Sequence, residues 1–125
     1  MAASLTPRFG RTAGQIFYAE RISQSYNLIA AGTTTLSAAP KAYDTIYVAQ
    51  AAMTSNLTVN AVTTSAKLGD QITFLFLADT TARVVTFGTD FISGGTVTAA
   101  ISKRASATFK FDGVKFVEIS RFVQP

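Results

Sequence analysis

The chain has 125 residues, a formal net charge of +4, and no cysteine, histidine or tryptophan. That length suits one domain with a core that needs no disulfide or metal. The missing residue types exclude disulfides, thiolate chemistry and imidazole bases or ligands, so no cofactor and no metal site is expected.

Charged residues make up only 14% of the chain, against about 25% in an average globular protein. Thr and Phe are abundant, and both favour strands. So lightly charged a chain either solvates its surface with Thr and Ser or buries part of it against other subunits or a partner. The basic residues are scattered singly apart from Lys103-Arg104. That is no nucleic-acid footprint, and no apolar stretch is long enough to span a bilayer.

Residues 1–27 read as an extended N-terminal arm. Neither a period of two nor one of 3.6 persists there, Arg8 and Arg11 interrupt any leader-like apolar run, and single aromatics alternate with arginines. Arg8, Phe9, Arg11, Phe17, Tyr18 and Arg21 are the anchors such an arm would offer a partner, because these residue types are enriched at interfaces.

Residues 28–125 read as strand, turn, strand. Asn27 to Ser37 is expected as one strand with a bulge at Gly32, and Ala39-Pro40-Lys41 breaks it. Tyr43 to Gln50 follows, with Tyr43 and Tyr47 on one face as candidates to stack on a glycan. Asn56 to Val62 alternates with Leu57 and Val59 inward. Gln71 to Ala78 is apolar on both faces and is expected to be central, with Phe74 and Phe76 on one side and Leu75 and Leu77 on the other. The Leu side needs a cover from loops or a neighbouring subunit. Asp79 to Ala82 is a turn, and Arg83 to Gly88 returns.

Gly94-Gly95 turns the chain into strands over Thr96 to Ile101 and Ala105 to Asp112. Asp112-Gly113 is a hairpin signal, since a two-residue type I′ turn needs positive φ at both positions. That register sets Phe111 opposite Val114 and Phe109 opposite Phe116. About eight short strands with no visible internal repeat are spaced as in an all-β sandwich or barrel, and an antiparallel β-sandwich is the expected architecture. Leu57, Val59, Phe74, Phe76, Val85, Phe87, Phe109, Phe111 and Phe116 should line its core or a subunit interface.

The carboxylates Asp70, Asp79, Asp90 and Asp112 sit at turns beside Gly or Thr, where aspartate caps backbone N–H groups. Their spacing suggests no catalytic pair, and no enzyme is expected.

The order of Gly69-Asp70, Ile72 to Leu77, Arg83 to Phe87, Gly94-Gly95, Thr96 to Thr98 and Phe109 to Phe116 resembles a β-domain of tailed-bacteriophage structural proteins. Decoration, head-fibre and tail-appendage proteins carry it, and the resemblance covers Leu57 to Arg121. It implies a jelly-roll-like sandwich that assembles, often as a homotrimer, and binds another virion protein or a host-surface glycan rather than catalysing. With the arm, it implies a capsid decoration (cement) protein made in the host cytoplasm, clamped to the major capsid protein through residues 1–26. A short tail-tip or head-spike module that binds host glycan is the other role it allows.

Overall fold

The computed structural model describes residues 24–125. The anchors expected at Arg8, Phe9, Arg11, Phe17, Tyr18 and Arg21 lie outside these residues. The fold is all-β and has two sheets. The strands are β1 (Gln24–Leu28), β2 (Thr35–Ala38), β3 (Asp44–Val48), β4 (Leu57–Ala61), β5 (Gln71–Leu77), β6 (Arg83–Phe87), β7 (Phe91–Ile92), β8 (Val97–Ala99), β9 (Arg104–Phe111) and β10 (Phe116–Val123). A six-stranded sheet runs β1-β3-β5-β9-β10-β7, and a four-stranded sheet runs β2-β4-β6-β8.

The pairing corrects the antiparallel jelly-roll expectation. The first six strands alternate between the sheets, and β1, β2, β3 and β4 each pair in parallel with the strand two places on. The result is a solenoid-like stack of three rungs. Antiparallel ladders appear only where the stack is closed, in β5–β9, β9–β10 and β6–β8. The rungs are unequal, which explains why no repeat is visible in the sequence. Gln24 aligns with Asp44, twenty residues on, but Asp44 aligns with Gln71, twenty-seven on.

Three local expectations change with the topology. Gly32, at φ +83°, is the corner that splits the expected Asn27–Ser37 strand into β1 and β2. β6 does not return beside β5, because the chain crosses to the other sheet between them. The β9–β10 hairpin is where Asp112-Gly113 places it, but its loop has four residues. Asp112 N–H donates to the Lys115 carbonyl, and Asp112 Oδ1 accepts from Val114 N–H (2.8 Å) and Lys115 N–H (2.7 Å). Only Gly113 of that loop has positive φ. Phe111 therefore pairs with Phe116 and Phe109 with Glu118. Val114 stands exposed in the loop, and Lys110 pairs with Val117 rather than facing Lys115.

The core lies between the sheets and follows from strand alternation. Ile72, Phe74 and Phe76 of β5 point inward and are buried. The rings of Tyr47, Phe76, Phe87, Phe91 and Phe109 lie 5.6–6.0 Å from Phe74. Leu57, Val59, Val85, Phe111 and Phe116 are buried with them, while Phe87 is half-buried and packs against the cluster.

Polar side chains pin the corners between rungs. Thr45 Oγ1 accepts from Lys41 N–H and Ala42 N–H. Buried Asp70 accepts from Lys67 N–H at 2.9 Å. Asn56 Oδ1 accepts from Val84 N–H on the next rung, so its side chain has a structural task. At the β5–β6 crossover, Arg83 donates through Nε and Nη2 to both carboxylate oxygens of Asp79, each at 2.8 Å. Such a bidentate pair fixes direction as well as charge.

Candidate assembly surface

The two outer faces differ in chemistry. In the four-stranded sheet, Thr35, Thr58 and Thr86 align across β2, β4 and β6, and Ser37 pairs with Asn60. Hydroxyls and amides solvate that face, which accounts for part of the chain's low charge.

The six-stranded sheet turns a different surface outward. Leu28, Val48, Leu75, Ser106 and Phe122 form one aligned row across β1, β3, β5, β9 and β10. Tyr26, Ile46, Thr73, Thr108 and Ser120 form the next. Tyr26 is 67% exposed, Leu28 60%, Leu75 44% and Phe122 57%. Neither row holds a charge. Asp44, Lys110 and Arg104 stand at its margins, where Asp44 and Lys110 each pair with Gln71 and Arg104 pairs with Leu77. An apolar centre with a polar rim is the anatomy of a protein interface. Thr73 Oγ1 and Thr108 Oγ1 share a hydrogen bond of 3.2 Å at its middle, so this centre presents satisfied groups.

The Leu face of β5 is therefore one strip of this surface. The signal was in the sequence as an apolar run on both faces. No sequence pattern joins Tyr26 and Phe122 to Leu75, because their alignment exists only through β1–β3–β5 and β5–β9–β10 pairing.

The glycan candidates separate. Tyr47 is buried, stacks on Phe74 at 5.6 Å, and its hydroxyl accepts from Ala39 N–H and donates to Ala39 C=O. It cannot stack on a sugar, and this corrects its pairing with Tyr43. Tyr43, just ahead of β3, is 38% exposed. The expected core phenylalanines Phe74, Phe76, Phe109, Phe111 and Phe116 are all buried within one chain, so they offer nothing to a subunit interface.

The carboxylates act as turn pins. Arg83 beside Asp79 holds that carboxyl below its ordinary range, and the Lys115 and Val114 N–H groups do the same for Asp112. An open groove of about 430 Å³ lies beside β7 and β10, lined by Ile92, Ser93, Gly94 and residues 117–121. Across it Arg121 Nη2 donates to Glu118 Oε1 at 2.8 Å and to the Gly95 carbonyl at 3.1 Å, while Nη1 donates to Thr96 C=O. Gly94 N–H donates to Glu118 Oε1. These bonds latch the 93–96 turn to β10, and Arg121 lowers the carboxyl pKa of Glu118. Among the described residues no cluster of three or more acidic side chains is placed to hold a metal ion.

No protein-family model matches the chain, and no curated protein matches it.

Proposed function

We propose that this is a bacteriophage virion structural protein of the capsid decoration class, which assembles through the outer face of its six-stranded sheet. The observation that carries the reading is the pair of aligned, uncharged rows through Tyr26, Leu28, Leu75 and Phe122. An exposed apolar face of this kind on a small, lightly charged domain marks a protein contact. The resemblance of Leu57 to Arg121 to phage structural β-domains supports the virion setting. It also makes a homotrimer the natural oligomer, with the part of the expected arm that precedes β1 as the clamp on the major capsid protein, since Gln24 to Asn27 belong to β1. The parallel rungs depart from the jelly roll that the resemblance implies, and the reading does not depend on that fold.

Quantitative mass spectrometry of purified virions, with a C-terminal label for electron microscopy, tests the proposal. Many copies spread over the head are expected. A few copies at one vertex or at the tail would move the protein to the receptor-binding role, and its absence from particles would overturn the virion reading.

A further inference from the structure

Among the described residues, the stack is closed at one end and ends at the other in two unpaired edge strands. At the far end the edge strands are β7, with two residues, and β8, with three, and the Glu118–Arg121 latch lies over the turn between them. Short, covered edges resist pairing. At the first rung β1 and β2 are both edge strands, one in each sheet.

The direction of the exposed backbone groups can be worked out. Ile29 N–H donates to Val48 C=O, so the odd-numbered residues of β1 point toward β3. Alternation then turns the N–H and C=O of Tyr26 and Leu28 away from the sheet. In β2, Thr34 C=O and Ala38 C=O accept from Thr58 N–H and Val62 N–H. Thr35 and Ser37 therefore aim theirs away from β4. Neither strand, QSYNL or TLSA, contains a charge or a proline, which are the usual devices that blunt an edge. Ser25 Oγ and Asn27 Nδ2 of β1 are buried without a hydrogen-bond partner, and buried polar groups are rarely left so.

We propose that this open rung is an end-to-end docking surface for a second copy of the chain. Successive strands of the stack run out along one sheet and back along the other. A two-fold axis across the open end therefore sets β1 antiparallel to its copy and β2 antiparallel to its copy at the same time. Such an isologous contact closes on itself and completes both ladders. Because neither edge carries charge, two copies meet there without local repulsion despite a net charge of +4 on each. The contact is distinct from the outer face, and the two coexist in an assembly of dihedral symmetry.

The test separates backbone pairing from side-chain contact. Tyr26→Pro and Ser37→Pro each remove an N–H that points to the free edge and leave the ladders within the stack intact. Ser37→Ala keeps the N–H and removes a side chain that is not part of the outer face of the six-stranded sheet. Sedimentation of the protein should show an even number of chains. Its mass should halve in Ser37→Pro, with circular dichroism unchanged, and should hold in Ser37→Ala, while Tyr26→Pro should lose at least as much. In the wild type, hydrogen exchange at the Tyr26 and Leu28 amides should slow as protein concentration rises.

An odd number of chains overturns the proposal. So does an even assembly whose mass both proline variants leave unchanged. Equal loss in Ser37→Ala and Ser37→Pro would overturn backbone pairing at this edge. Protection of the Tyr26 amide at every concentration in a monomer would show that residues 1–23 of the same chain cover the edge. If Tyr26→Pro does not fold, Ser37→Pro and the exchange profile decide the question.

Discussion

Phe74 is the residue whose loss the fold should feel most. It is fully buried at the centre of the six-stranded sheet's inner face, and five rings surround it at 5.6–6.0 Å. Phe87 belongs to the opposite sheet, and the other four to the same one. Phe74→Ala removes a phenyl ring from among rigid neighbours fixed by two sheets, so the cavity cannot collapse. Phe→Ala in such sites costs about 3–5 kcal/mol, and the upper part of that range applies here. Whole-domain stability is typically about 5–15 kcal/mol, so a third or more would be lost. Val114→Ala is the control, because it trims an apolar side chain at an exposed loop position, where changes stay within about 0.5 kcal/mol. Urea unfolding followed by far-ultraviolet circular dichroism, at one fixed protein concentration, compares them. A Phe74→Ala loss under about 2 kcal/mol, or one no larger than that of Val114→Ala, would refute the two-sheet packing around Phe74.

Other outcomes follow from particular contacts. A Cβ at Gly88 would collide with Asn60 Oδ1 and approach the Val59 carbonyl to 3.3 Å. Gly88→Ala should cost about 1–3 kcal/mol, with partial recovery in the Gly88→Ala, Asn60→Ser double variant; no recovery would place the strain elsewhere. Glu118 has its pKa lowered from 4.5, chiefly by Arg121 and also by Gly94 N–H. A carboxyl depressed in the folded state contributes stability above its unfolded pKa and loses it as pH falls through the folded value. The denaturation midpoint should therefore decline below about pH 4.5, with Asp79 and Asp112 acting in the same direction. Glu118→Gln should make that acid limb shallower, and an unchanged slope would remove the latch from the account. On the outer face, Leu75→Glu and Phe122→Glu should weaken self-association at least tenfold while leaving the monomer folded. Unaltered sedimentation of both variants would exclude this surface from the oligomer.

Much of this molecule was legible residue by residue. The alternation of Ile72, Phe74 and Phe76 with Thr73, Leu75 and Leu77 announced a strand with one core face and an unusually apolar outer one. Asp70, Asp79 and Asp112 marked turns because a short carboxylate satisfies nearby backbone N–H groups, and each does so. The four-residue loop after Phe111 was hidden, because Asp-Gly is compatible with several turns and the Asp112 side chain chose among them. Phe91 escaped notice because β7 is only two residues long, too short for any period to register.

What the sequence by itself determined was the class of the elements and the face each side chain occupies, since side-chain alternation is a property of one strand alone. Which strands pair, and in which direction, was decided only in three dimensions. Every strand offers the same backbone donors and acceptors, so periodicity is blind to its neighbour. The corners decide it: Gly32 turning between sheets, Asp79 holding Arg83 at the crossover, and Tyr47 tied to Ala39 carry the chain round into parallel rungs. That path aligns Leu28, Val48, Leu75 and Phe122 in one row and, among the described residues, sets β1 and β2 as edge strands at the same end, because register across strands is a property of the assembled stack.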